Sequence, residues 1–142
     1  MTKEAAEIAA VCLVPSGYAV TLQNGLGNIE TLTAVLGEER VMPGLTFHSA
    51  DIQGPGSVRH TNHGPTYLGE IDRRPSERLA TLRKMIDQAG MNPVIEDDIM
   101  ATIWGKFVHN CAINAICAIT DLRPGHIKDV PALDQFQSAI IN

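Results

Sequence analysis

The sequence predicts an α/β segment followed by an all-helical segment, and three observations carry this prediction. A short apolar run, Tyr18–Gln23, leads through a glycine-containing turn into a helical pattern, which is the element order of open α/β sheets. Between residues 40 and 68, β-prone runs alternate with Gly and Pro. From Asp97 to Ile119 the pattern is continuously helical. We therefore expect one domain over residues 1–96 and the start of another over 97–142.

Composition and charge restrict the class of partner. The 142 residues are 44% apolar and 19% charged, which is typical of a folded globular chain. A net charge of −5 and an aromatic content of 4% argue against a nucleic-acid or anionic-membrane surface. No signal peptide is apparent, and polar side chains interrupt the longest apolar run, Ile99–Ile119. We expect a cytoplasmic protein that binds neither nucleic acid nor membrane.

The three cysteines, Cys12, Cys111 and Cys117, are too few and too scattered to predict a disulfide framework. All three lie in apolar stretches, so we expect buried free thiols in a reducing compartment. No activating base accompanies Cys111 or Cys117 in the local pattern, and thiol nucleophile chemistry is therefore not predicted.

The first elements form a helix, a strand, a turn and a second helix. Lys3–Leu13 is rich in Ala and Glu, which favours a helix before the break at Pro15. The strand over Tyr18–Gln23 precedes a turn at residues 24–27, after which Asn28 is expected to cap a helix over residues 29–36.

The middle of the chain predicts strands and then an amphipathic helix. The runs at residues 40–47, 57–61 and 66–68 indicate an antiparallel meander. Pro75–Ala89 has the period of a helix whose apolar face carries four side chains, namely Leu79, Leu82, Met85 and Ile86. A short extended piece, Pro93–Ile95, precedes the long helix.

The long helix is expected to start with Asp97 or Asp98 as its cap and to run through Ile119. Arg123-Pro124-Gly125 is expected to break it, and residues 132–141 begin another helix.

Three polar side chains on the long helix form the most informative pattern. Lys106, Asn110 and Asn114 are spaced by four residues, which places them within an arc of about 80° on an otherwise apolar helix. A structural interpretation has Lys106 extending to solvent and the amides binding neighbouring backbone groups. The functional interpretation is a partly buried lysine that can donate a proton, with two amides that orient a polar substrate.

Two further motifs are weaker. Gln23-Asn24-Gly25-Leu26-Gly27 does not satisfy the G-x-G-x-x-G fingerprint, although a polar side chain at the carboxyl end of a strand is where open α/β sheets bind ligands. His48, His60 and His63 could suggest a metal. Residues three apart on an extended segment point to opposite faces, and no Cys or carboxylate accompanies them, so no metal site is predicted.

Together these blocks resemble the ketopantoate reductase (2-dehydropantoate 2-reductase) family. The resemblance rests on Gln23-Asn24-Gly25-Leu26-Gly27, on the block at residues 44–50 (GLTFHSA), and on the block at residues 104–114 (WGKFVHNCAIN), in that order and at those distances. It covers essentially all 142 residues but only the middle of a family member. It implies the later part of a Rossmann-type NADP-binding domain, followed by the start of a helical domain like the C-terminal domain of 6-phosphogluconate dehydrogenase.

The resemblance also implies an activity and the residues that carry it. The family reduces 2-dehydropantoate to pantoate with NADPH in pantothenate synthesis. Lys106 would be the general acid, Asn110 and Asn114 would bind substrate, and Asn24 and the backbone of Ala50 would contact the cofactor. These roles agree with the chemistry, because hydride addition to a ketone builds negative charge on oxygen that a cationic donor stabilises.

The sequence also departs from the family pattern. The phosphate-binding glycine loop and the later helices of the family are not represented, and Pro124 stands where the family often has a further substrate-binding asparagine. We therefore expect a central fragment of such a reductase. Two alternatives stay open: a reductase of another 2-oxo acid, and a non-catalytic helix-and-sheet module that associates with another chain. Homo-oligomer formation is also left open.

Overall fold

The computed structural model describes residues 1–141, which fall into two compact units, Met1–Ala101 and a second unit from Thr102 onward. The elements, in chain order, are α1 (Thr2–Cys12), β1 (Ala19–Thr21), α2 (Asn28–Leu36), β2 (Val41–Thr46), β3 (Ser49–Gly54), β4 (Ser57–Asn62), β5 (Thr66–Leu68), α3 (Glu77–Gln88), β6 (Pro93–Ile95), α4 (Ile99–Thr120) and α5 (Pro131–Ile141). Short 3-10 helices occupy Glu38–Arg40 and Pro124–Asp129. The predicted order, α/β followed by helices, is confirmed.

The sheet of the first unit is built around β2. Its strand order is β1-β2-β5-β6, with β1 parallel to β2, β5 antiparallel to β2, and β6 parallel to β5. Five of the six residues of β2 are buried. A strand buried on both faces must be apolar throughout rather than alternating, which explains the unbroken run VMPGL.

Helices cover the two faces of β2 separately. Val41 packs in a cluster with Ala6 of α1 and with Leu32 and Leu36 of α2. The next residue, Met42, packs in a second cluster with Leu68 of β5 and Leu79 of α3. Successive side chains of a strand point to opposite faces, so the two clusters are the two sides of one sheet.

The predicted meander is wrong in its pairing. β3 and β4 form a separate two-stranded hairpin whose side chains are mostly exposed, and β3 was not predicted because its residues lack a half-buried apolar face. β5 pairs with β2 and β6 instead of following β4. The hairpin is thus an excursion that leaves the sheet after Thr46 and returns at Thr66, its direct partner.

Three local expectations are corrected. Asn28 is the first residue of α2 rather than its cap; Gly27 takes the cap position, and the Asn28 amide donates to the Asn24 carbonyl. Met85 is exposed, because the side of α3 that faces the sheet is narrower than the sequence pattern suggests. Cys12 and Cys111 are exposed free thiols and Cys117 is half-buried, since each lies off the buried side of its helix.

Other expectations are confirmed. Asp98 caps α4, because its carboxylate accepts a hydrogen bond from the Ala101 amide at 3.1 Å. The helix ends at Thr120, before the predicted break at Arg123-Pro124-Gly125. Within residues 1–141, no helix combines the length and apolarity that crossing a bilayer would require.

A buried ion pair ties α3 to the sheet. The Glu70 side chain is 4% exposed and accepts two hydrogen bonds from Arg78, one of them from Nε at 2.8 Å. Arg78 also donates to the carbonyls of Glu39 and Val41, and Ser76, the cap of α3, donates to Glu70. The hydrogen bond with Glu70 raises the pKa of Arg78 above its ordinary value. The start of β2 and the start of α3 are therefore fixed by one carboxylate and one guanidinium.

We expect Arg78→Met to lower the free energy of unfolding by about 3–5 kcal/mol, because it leaves the Glu70 carboxylate buried without its partner. Arg74→Met is the matched control. Arg74 is 84% exposed and lies 4.0 Å from Asp72, so its loss should cost less than about 0.5 kcal/mol. Urea unfolding followed by far-UV circular dichroism measures both. Equal midpoints for the two variants would contradict the role of the pair.

Candidate functional site

The turn after β1 is shaped to let a ligand approach the backbone. Gly25 and Gly27 have φ values of 87° and 86°, a conformation that side chains rarely adopt. A Cβ atom built at either glycine meets no other atom within 4 Å, so the space above the turn is open. Asn24 is exposed at the start of this turn. Its backbone carbonyl accepts a hydrogen bond from the side-chain amide of Asn28 at 3.2 Å, which fixes the backbone at the start of the turn.

Ala50 follows the neighbouring strand. β1 and β2 are parallel, with Thr21 opposite Pro43, so their carboxyl ends lie at the same edge of the sheet. Asn24 comes soon after the end of β1, and Ala50 is exposed near the start of β3, just after β2. The structure therefore places both predicted cofactor residues in segments that leave this edge, where open α/β sheets bind ligands.

The predicted substrate and acid residues lie together on α4 of the second unit. Lys106 and Asn110 are half-buried, and Asn114 is exposed. Ile103, nearly one turn before Lys106 and on the same side of the helix, is buried. Ala112 and Ile116 are buried on a different side. The polar stripe thus begins beside a buried side chain and becomes more exposed towards Asn114.

Burial changes the acidity of Lys106. Partial removal from water disfavours its ammonium form and lowers the pKa of Lys106 below its ordinary value. A lysine of this kind releases its proton more readily than a solvated one, which is what a general acid requires.

Two features escaped the sequence reasoning. A cleft of about 520 Å³ is lined by residues of the Glu70–Arg78 region and by Glu38 and Glu39, whereas the predicted site residues lie elsewhere.

The rings of His60 and His63 lie 3.7 Å apart between centroids, so the expectation that they face opposite ways is wrong. β4 ends at Asn62, and strand alternation does not extend to His63. Gly64, which follows at once, was the available signal that the chain turns there.

The fold is a Rossmann-type domain followed by a helical domain, and comparisons with known proteins agree. Residues 1–73 match the family model described as ketopantoate reductase PanE/ApbA, and residues 98–142 match the model of the C-terminal part of the same family. The 2-dehydropantoate 2-reductase of Archaeoglobus fulgidus is 35% identical over 127 residues, which are 89% of this chain and 42% of that protein. The chain belongs to the ketopantoate reductase family.

Solved structures place the fold in the same group. A PanE/ApbA family ketopantoate reductase from Ralstonia eutropha JMP134 superposes with a TM-score of 0.81 at 28% identity, over 99% of this chain and 45% of that one. D-mandelate dehydrogenase in complex with NADH has a TM-score of 0.85 at 20% identity, over 99% of this chain and 46% of that one, and at that identity shows the fold alone. The chain spans about two fifths of the length of curated relatives that it matches.

We expect Lys106 to deprotonate at a lower pH than an ordinary lysine side chain, because burial disfavours its ammonium form. Reductive methylation with ¹³C-formaldehyde gives each lysine a separate NMR signal, and Lys106→Arg assigns the one of interest. Because the folded pKa is lowered, the folding cost of the buried ammonium is present at neutral pH and is relieved as pH rises through that pKa. Titration of Lys106 at the pH of an ordinary lysine side chain would contradict the burial argument.

Proposed function

We propose that the protein to which this chain belongs reduces 2-dehydropantoate to pantoate with NADPH, with Lys106 as the general acid. Membership of the ketopantoate reductase family supports the reaction class. The observation that carries the assignment of Lys106 is its position on α4, half-buried with a lowered pKa and followed at i+4 and i+8 by two amides. A fully solvated lysine would not have its pKa lowered by burial.

Lys106 supplies the proton that the reaction needs. NADPH, when bound, supplies the hydride that adds to the ketone carbon. The carbonyl oxygen then gains negative charge, and the Lys106 ammonium both stabilises that charge and transfers its proton from Nζ to the oxygen. The products are the alcohol and a neutral lysine, which regains its proton from solvent. Half-burial strengthens the interaction with the developing charge, since water competes less for it.

Asn110 and Asn114 hold the substrate beside Lys106 in this proposal. Each carboxamide offers two N–H donors and a carbonyl acceptor, so it can bind a carboxylate or a hydroxyl of the substrate. Both lie within an arc of about 80° that includes Lys106. Orientation by groups on one rigid helix aligns the ketone oxygen with the proton donor.

The residues of the first unit fit a nicotinamide cofactor. Gly25 and Gly27 leave open space at the carboxyl end of β1, which allows a ligand to reach the backbone. Asn24 would bind near the nicotinamide end, and the exposed backbone at Ala50 would contact the same cofactor. D-mandelate dehydrogenase, which has this fold, was solved in complex with NADH. The affinity of the protein for NADPH should therefore be compared with its affinity for NADH.

A substrate other than 2-dehydropantoate is the main alternative within this class. The same lysine and amides would reduce another 2-oxo acid, because the acid acts on the ketone that all such substrates share. Assay of a panel of 2-oxo acids, at equal concentrations and with each nicotinamide cofactor, separates these candidates. The highest kcat/KM identifies the substrate.

A non-catalytic association module is the alternative from another class. Apolar side chains that face solvent favour it, among them Ile8 and Val11 on α1 and Phe136 on α5. Size-exclusion chromatography combined with NADPH titration distinguishes it from the reductase. Cofactor affinity supports the enzyme, whereas an oligomer without cofactor affinity supports the module.

We expect Lys106→Ala to lower kcat for 2-dehydropantoate by about 100- to 10,000-fold, the usual contribution of a general acid. Steady-state kinetics of the full-length natural protein measure it, with circular dichroism to verify the fold. Lys84→Ala is the control, because Lys84 is exposed on α3 and should leave kcat unchanged.

The pH profile distinguishes an acid from a structural lysine. In the wild type, kcat should fall as pH rises through the pKa of Lys106, since the neutral amine cannot protonate the product. That fall should begin below the pH expected of an ordinary lysine. An unchanged rate in Lys106→Ala, or an alkaline limb that survives it, would rule out the proposed acid.

A further inference from the structure

We propose that His48, His60 and His63 form a surface site for a divalent transition-metal ion, with Zn²⁺ as the ion that the donor set fits. One nitrogen from each imidazole lies within 4.8 Å of the others. The three residues come from the β2–β3 connection, from β4 and from the segment after β4. All three belong to the first unit, whereas Lys106, Asn110 and Asn114 belong to the second. Ala50, the proposed cofactor contact, is the strand partner of His60.

The backbone holds these residues together independently of any ion. The Asn62 side chain donates to the Phe47 carbonyl at 2.6 Å, and the Phe47 amide donates to the Pro65 carbonyl at 3.0 Å. A Cβ atom at Gly64 would lie 2.5 Å from the Phe47 Cβ, so only glycine permits this approach. The segment that carries His63 is therefore pressed against the segment that carries His48.

An irregularity in the hairpin places His60 beside them. Ser49 is paired with Asn62 but the next residue, Ala50, is paired with His60, so β4 has one extra residue at this point. A bulge of this kind interrupts the alternation of side chains and increases the local twist. His60 and His63 consequently come together although their spacing in a regular strand would separate them.

The ring nitrogens lie close enough together to share one ion. Nδ1 of His48 and Nε2 of His60 are hydrogen-bonded at 2.9 Å. An ion would replace the shared proton, with the two nitrogens about 3.3 Å apart on a tetrahedral zinc ion. The other nitrogen of His48, Nε2, lies 3.5 Å from the Met91 carbonyl. Histidines that bind metals commonly donate their second N–H to a backbone carbonyl, which fixes the ring.

The chemistry of three imidazoles selects the class of ion. Imidazole suits zinc, copper and nickel, whereas magnesium and calcium require oxygen ligands. The group contains histidines and no carboxylate among the described residues. His60 and His63 are exposed, so an ion can enter from solvent with water in its fourth position. A bound ion would link His60 of β4 to His48, which precedes the hairpin, and to His63, which follows it.

Isothermal titration of the purified chain with zinc chloride tests the site. The protein is prepared without a histidine tag, and Cys12→Ser with Cys111→Ser removes the exposed thiols that also bind zinc. We expect one ion per chain. His60→Ala and His63→Ala should each weaken zinc binding by more than about 100-fold. Loss of a group that only hydrogen-bonds to a metal ligand already lowers metal affinity by about 10–100-fold. His109→Ala and His126→Ala, at exposed histidines outside the cluster, should leave it unchanged.

Amide hydrogen exchange, measured by NMR, tests whether the bound ion stabilises the β3–β4 hairpin. Zinc should slow amide exchange in β3 and β4 of the parent chain but not in His63→Ala, whose substitution lies outside both strands. Absence of binding in the parent chain would overturn the proposal, as would equal affinity in His60→Ala and His63→Ala. Binding with unchanged exchange in the hairpin would overturn its structural role.

Discussion

Burial of β2 on both faces is the constraint on which the first unit depends. Val41 and Met42 are adjacent in sequence, yet each belongs to a different apolar cluster on its own side of the sheet. Helices must therefore cover both faces, and β2 must be apolar without alternation. Its amino end is fixed by the Arg78 hydrogen bond to Val41, and its carboxyl end is fixed by pairing with β5. The segments that leave this strand and its parallel neighbour carry the candidate cofactor residues.

Features that depend on local pattern could be predicted from the sequence. The Asp98 cap and the helical period of α4 are set by residues close to one another, and the polar stripe of Lys106, Asn110 and Asn114 follows from helix geometry alone. The resemblance to the family added the expectation that the first segment is of the Rossmann type. The roles of the stripe in the reaction stay predictions.

Features that depend on long-range pairing could not be predicted. β5 is three residues long, too short to indicate from its own pattern that it pairs with β2 and β6. Its position is set by the packing of Leu68 against Met42 and Leu79. The exposed hairpin has no apolar face that would reveal β3. The approach of His63 to His48 required the close contact at Gly64 and the extra residue of β4, neither of which has a signature in the spacing of the histidines.

The pairing of Thr46 with Thr66 has a consequence for how this fold can vary. The sheet already holds both ends of the intervening segment in contact, so the entropy of closing that loop depends only weakly on its length. Both clusters of buried side chains draw on residues outside residues 47–65. This segment can therefore gain, lose or exchange residues while the core stays as it is. New surface chemistry can arise there without altering the fold that supports the rest of the protein.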